Sequence, residues 1–201
     1  MVLASAVVVS ALFALLGLVF VSISTGRLTV DTGWGRRVRS LGPQVVRIQA
    51  PRETVFDLAA VPYLSENPPR DLREKVEVLE RGDDMVIAAH RTRAGVFTTV
   101  TVESVSFVRP ERIAFRLLRG PVPFVAERFV LRETDGGAAT ELEYSGELGM
   151  DFWGVGAAWG ALVARYWERT VANALESLKV SAERMAARGS VRAARMGQRE
   201  R

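Results

Sequence analysis

Along the chain the apolar positions change period several times, and each change predicts an element. Val2 to Ile23 is apolar with no charged side chain, a length suited to crossing a ~30 Å hydrocarbon layer as one helix. A polar, glycine-rich run, LTVDTGWGRRVRSLGPQ, follows. Val45, Val46 and Ile48 are then broken by Arg47 and Gln49, the pattern of a half-buried strand. Pro51 stops that strand, and its fixed φ suits the first turn of a helix. Glu53 lies in that turn, where a carboxylate meets the positive end of the helix dipole, and Val55, Phe56, Leu58 and Ala59 recur at helical spacing. Pro62, Pro68 and Pro69 are expected to end this helix early, with YLSENPPR as a bend or a second short helix.

Six strands are predicted next. KVEVLERGDDMVIAAHRTR reads as two strands joined by Arg-Gly-Asp-Asp, a turn whose residues tolerate positive φ. GVFTTVTVESVSFV, RIAFRLLRG, FVAERFVLRE and ATELEYSGEL continue the series, separated by Arg-Pro-Glu-Arg, by GPVP and by Thr-Asp-Gly-Gly. No helix interrupts this meander, so the sheet, of about seven strands with the first, should be antiparallel. From Asp151 the period changes to three and four. Trp159, Leu162, Val163, Tyr166, Thr170, Ala174 and Leu178 form the expected inner stripe of one long amphipathic helix, with Arg165, Glu168, Arg169, Glu176 and Lys179 on other faces. Only that helix is large enough to cover the apolar face of the sheet.

This order, together with APRETVFDLAA, RPERIAFRLLRGP and the C-terminal helix, resembles the START-like or Bet v 1-like (SRPBCC) superfamily, the polyketide cyclase/dehydrase and lipid transport type. The resemblance spans about residues 44–188. It implies an α+β helix-grip fold, in which a curved sheet grips the long helix and a hydrophobic cavity lies between them, closed at one end by the two short helices. It implies no catalytic residues, since no signature belongs to the superfamily as a whole.

The expected organisation is a transmembrane anchor at 1–23, a linker at 24–43, the helix-grip domain at 44–188 and a basic disordered tail at 189–201. A cleaved secretory signal would have a basic start and a shorter apolar stretch, and no Lys or Arg precedes Arg27. Arg27, Arg36, Arg37 and Arg39 follow the apolar stretch, so the positive-inside bias predicts a single-pass cell-membrane protein with its domain in the cytoplasm. The net charge of +4 is concentrated in the tail, where Arg188, Arg192, Arg195, Arg199 and Arg201 face Glu200 alone. That tail suits solvent or anionic lipid headgroups, and no aromatic interleaving or reading motif points to nucleic acid. The absence of cysteine excludes disulfides, thiolate metal sites and a cysteine nucleophile.

Candidate chemistry is sparse. His90 is the one histidine. In phase with Val86 and Ala88, it reads either as a hydrogen-bonded strand-end residue or as a polar handle or general base in a cavity. Glu127 shares a face with Val125, Phe129 and Leu131, so it sits either at an edge or inside, where it would need a partner or a raised pKa. Tyr144 and Tyr166 read as core or as pocket wall, and Trp153, Trp159 and Trp167 as packing anchors. Gly154, Gly156 and Gly160 lie where the helix could bend or bring its backbone close to a neighbour. No phosphate loop, metal spacing or paired-carboxylate spacing appears, so no cofactor is expected.

The expected cavity is lined by Val100, Val102, Phe115, Leu117, Phe129, Leu131, Leu142 and Tyr144 from the strands and by Val163, Tyr166 and Thr170 from the helix, with His90 or Glu127 as polar points. Such a lining suits a hydrophobic small molecule or lipid. Three functions compete: a membrane-anchored binding protein, a polyketide cyclase/aromatase or dehydratase using His90, Glu127 or Tyr144, and a domain with a collapsed, empty core.

Overall fold

The computed structural model describes residues 2–94 and 96–199. Helix α1 (Val2–Ser24) is followed by strand β1 (Arg37–Ile48) and the helices α2 (Arg52–Leu64) and α3 (Arg70–Lys75). Then come β2 (Val76–Arg81), β3 (Met85–Ala94), β4 (Phe97–Val108), β5 (Arg112–Arg119), β6 (Phe124–Thr134) and β7 (Ala139–Met150), and last the long helix α4 (Trp153–Arg199). The strands form one antiparallel sheet in the order β1-β7-β6-β5-β4-β3-β2. It is a curved sheet closed over α4, an α+β helix-grip fold. The short segment α2–α3 carries the chain from one sheet edge, β1, to the other, β2, and so lies across one end.

One end of the grip is solid. Ile48, Val55, Phe56, Ile113, Leu131, Leu142 and Leu175 are each at most 2% exposed and pack together there. Gly160 of α4 meets β7 so closely that a Cβ would lie 2.5 Å from Met150 Cγ, and at Gly156 it would lie 1.6 Å from the Asp151 carbonyl oxygen. The close backbone approach expected of those two glycines is therefore present.

Several expectations need correction. The first strand begins at Arg37, inside the expected 24–43 linker, because the twelve-residue β7 needs a partner along its whole edge and Arg37–Leu41 supplies it. The glycine and proline that read as linker, Gly42 and Pro43, instead sit at a register shift between Leu41 and Gln44, with Gly42 at φ +73°. Helix α2 runs past Pro62 to Leu64: a proline one turn from the end removes only one hydrogen bond, and the burial of Tyr63 holds the turn in place. The backbone of α4 stays helical to Arg199, where a disordered tail from 189 was expected, since Ala, Arg, Met and Gln dominate that segment and are good helix formers; residues 200 and 201 lie outside the described residues.

The inner stripe of α4 is also displaced by about one residue. Ala164, Val171, Leu175 and Ala182 face the sheet, whereas Leu162 and Tyr166 are 47% and 46% exposed. Both phases carry apolar residues at helical spacing, and small residues win because the sheet lies close.

Before β1, residues 25–36 are tied down. The Asp151 carboxylate accepts from the backbone N–H groups of Thr32 (2.7 Å) and Gly33 (2.9 Å) and from Arg36 Nε (2.7 Å). Thr29 Oγ1 donates to the Gly120 carbonyl at 2.7 Å, and Trp34 packs edge-on against Trp153. The C-terminal end of α1 is thereby joined to the sheet: Val100 N–H donates to the Thr25 carbonyl at 3.1 Å, and Thr99 Oγ1 to the Ser24 carbonyl at 2.7 Å.

Candidate functional site

At the end away from the solid core, α4 and the sheet part around a cavity of about 510 Å³. Strands β3 to β6 form its floor and α4 one wall. Tyr63 from the end of α2 closes it on one side, and Phe20 and Ser24 of α1 complete it on another. Phe20 meets Trp159 edge-on at 5.9 Å, and the Trp159 indole is fixed by donating to the Pro121 carbonyl at 2.9 Å. Val96, 93% exposed, and the half-exposed Leu162 and Tyr166 stand at the mouth.

Of the residues singled out from sequence, His90, Phe115, Glu127, Phe129, Val163, Tyr166 and Thr170 line this cavity together. Tyr144 is fully buried just behind Glu127 and touches it. Leu117, Leu131 and Leu142 belong instead to the packed core. Val100 and Val102 were expected inside, and both lie in the opposite phase: Thr99, Thr101, Glu103 and Val105 of β4 are the buried set. Both faces of β4 carry valines, so alternation alone selects neither. Val105, fully buried opposite Phe115, fixes the phase and carries Glu103 inward.

Glu103, Tyr63 and Trp167 are the functional groups that sequence reasoning missed. Tyr63 fell in YLSENPPR, read as a bend or a second short helix, and Glu103 was not singled out on its valine-rich strand.

Two polar clusters result. Tyr63 Oη and His90 Nε2 are 3.0 Å apart, and Glu103 Oε2 lies 3.3 Å from His90 Nδ1, out of line for a hydrogen bond, so that Nδ1 is buried without a partner. Glu103 Oε1 accepts from Thr101 Oγ1 at 2.7 Å. In the second cluster, Glu127 Oε2 accepts from both Tyr144 Oη (2.8 Å) and Trp167 Nε1 (2.7 Å).

Burial dominates the electrostatics. It pushes Glu103 up to about 7, and it pushes Glu127 up to about 8, aided by the charge of Glu103 and opposed by the two hydrogen bonds. Burial holds His90 down to about 4, so the imidazole is neutral at neutral pH, and it keeps the Tyr63 hydroxyl protonated. The cavity therefore offers neutral donors and acceptors with two carboxyls poised to ionise. Among the described residues no group of three or more His, Cys, Asp and Glu could hold a metal ion.

The sequence profile described as polyketide cyclase/dehydrase and lipid transport matches residues 43–183. The chain belongs to that family. Among solved structures it is similar to the Zhui aromatase/cyclase from Streptomyces sp. R1128, at TM-score 0.59 and 20% identity over 74% of this chain and 94% of that one. It is also similar to a START superfamily protein from Mycobacterium smegmatis, at TM-score 0.52 and 17% identity over 74% and 98%. At such identities these likenesses speak for the fold. No curated protein matches the chain.

Within the family's frame, α1 stands apart. Val7–Ser24 is long and apolar enough to cross a membrane, with mean hydropathy 2.6 and its residues exposed from Val7 to Val21. The same composition would serve a signal sequence.

Proposed function

We propose that this protein is a membrane-anchored binding protein for a hydrophobic small molecule or lipid, held in the cavity between the sheet and α4. The observation that carries this reading is the place of Phe20 and Ser24: the last turns of the apolar helix form part of the cavity wall. A ligand leaving hydrocarbon beside α1 would meet Val96, Leu162 and Tyr166 first, an apolar route that avoids water. The arginines that follow α1, Arg27, Arg36, Arg37 and Arg39, favour a cytoplasmic domain.

The test is lipid mass spectrometry on full-length protein purified from membranes, beside a Thr170→Trp variant. Thr170 is exposed on α4 and its hydroxyl bonds only within the helix, to the Tyr166 carbonyl, so the larger ring fills cavity space at small cost to folding. An apolar molecule should accompany the parent protein and be depleted at least several-fold in the variant. A parent protein that carries nothing sinks the reading.

A second reading draws on the Tyr63–His90–Glu103 cluster: an enzyme of the cyclase, aromatase or dehydratase kind working in the same cavity. There a neutral His90 would take a proton from carbon beside a carbonyl while a protonated carboxyl, Glu127, gives one to the departing hydroxyl, releasing water. Turnover of a poly-β-ketone thioester analogue that vanishes in His90→Ala, with binding retained, would favour it.

A further inference from the structure

Glu103 and Glu127 enter one apolar cavity from its floor, on strands β4 and β6 with β5 between them, and no cation among the described residues inside the cavity stands ready to pair with them. Among the described residues that line it, Arg93 is the one permanent cation, and it is exposed at the end of β3. The other titratable groups that face the two carboxyls are Tyr63 from α2, His90 from β3, Tyr144 from β7 and Tyr166 from α4, with the Glu168 charge acting on Tyr144. None of these supplies a positive charge at neutral pH, and His90 is kept neutral by burial. Each carboxyl has one oxygen committed to protein donors: Thr101 for Glu103 Oε1, and Tyr144 with Trp167 for Glu127 Oε2. Between the two clusters runs a continuous row of rings, with Tyr63 against Phe115 at 5.9 Å, Phe115 against Phe129 at 5.5 Å and Phe129 against Tyr144 at 5.7 Å.

Carboxylates set among aromatic faces, in a site shielded from water, are the surroundings that attract an ammonium ion. The carboxylates supply the charge, and the electron-rich ring faces add a further attraction once the cation is desolvated. A carboxylate ligand would meet like charge there, and a neutral ligand would leave the acids protonated, drawing nothing from their charge. We propose that the natural ligand is a hydrophobic amine, its ammonium group held between Glu103 and Glu127 and its apolar body directed to the mouth beside α1. This rests on the ligand-binding reading above and specifies the chemistry of its head group.

Binding of the cation favours the ionised carboxyls, so it releases protons near neutral pH. That gives a signature that burial of an apolar chain cannot produce.

The experiment uses the full-length protein in maltoside micelles and three probes of equal chain length: decylamine, decan-1-ol and decanoate. Binding is read from the fluorescence of Trp159 and Trp167 and from calorimetry at about pH 7.5 in two buffers of different ionisation enthalpy. Decylamine should bind about tenfold or more tightly than decan-1-ol, a difference of ~1.4 kcal/mol, with decanoate weakest and with heats that reveal proton release. Glu127→Gln should bring the amine to within about twofold of the alcohol. Equal affinities for amine and alcohol, preference for decanoate, or heats independent of buffer would overturn the ammonium assignment while leaving the apolar cavity standing. If none of the three probes binds, the cavity reading falls and takes the ammonium assignment with it. The comparison of probes and buffers on the parent protein decides the matter even if the variant fails to fold.

Discussion

Glu103 and Glu127 also shape stability, because a carboxyl that is harder to ionise in the folded state than in the unfolded one makes folding weaker as pH rises. Both have folded values above the ordinary 4.5, at about 7 and about 8. Their stabilisation is fully present below about 4.5 and is lost as pH climbs through those values. His90 has the opposite sign: held down to about 4 against an ordinary 6.5, it contributes stability above 6.5 that is lost as pH falls toward 4. Between pH 6.5 and 8.5 the two carboxyls thus act without His90, each differing proton amounting to ~1.4 kcal/mol per pH unit. The melting temperature should fall across that window by about 2–4 °C for each kcal/mol, and Glu103→Gln with Glu127→Gln should flatten the fall. A melting curve in thermal scans that is level from 6.5 to 8.5 in the parent protein counts against the buried-acid account. Of these groups, alternation along their strands put His90 and Glu127 forward as candidates, while leaving open whether either faced the cavity. Glu103 was not, because its strand has apolar residues in both phases and only packing in the folded core, which buries Val105 opposite Phe115, decides between them.

For the elements, the order β-α-α followed by six strands and a long helix was readable because each boundary is marked by chemistry the backbone requires: Pro51, Arg-Gly-Asp-Asp, Arg-Pro-Glu-Arg, GPVP and Thr-Asp-Gly-Gly. The rotation of α4 was not readable. Its apolar residues cover well over half its circumference, since one face packs on the sheet and an adjoining one, with Leu162 and Tyr166, borders the cavity mouth. A single-stripe reading averages the two. The faces should separate in mutants. Leu175→Ala, at a residue 2% exposed, should cost about 2–5 kcal/mol of folding stability through the cavity it leaves. Leu162→Asp should change stability by less than about 1 kcal/mol and weaken uptake of an apolar probe several-fold. Urea denaturation of both variants beside probe titration checks this, and equal destabilisation by the two would refute the assigned phases.

The whole molecule is governed by how α1 is joined to the domain. The segment after it was read as a linker because it is rich in glycine and charge. It is instead clasped by Asp151, with Arg36, Thr32 and Gly33 converging on one carboxylate that is itself only 1% exposed. Long-range partners of this kind, 115 to 119 residues apart in sequence, leave no trace in local pattern. The clasp and the hydrogen bonds from β4 fix the cavity mouth beside the end of the apolar helix, so that one orientation in the membrane sets the compartment of the whole domain. The arginines after α1 predict that compartment to be the cytoplasm. The chain contains no cysteine, and Asp83→Cys, in the exposed turn between β2 and β3, places a single thiol on the domain. A membrane-impermeant maleimide should leave this thiol unmodified in intact cells and label it fully once the membrane is permeabilised. Labelling in intact cells would reverse the orientation. A mature chain whose N-terminus begins after Ser24 would do more: it would remove Phe20 and Ser24 from the cavity wall, open the mouth to water, and overturn the proposed membrane anchor.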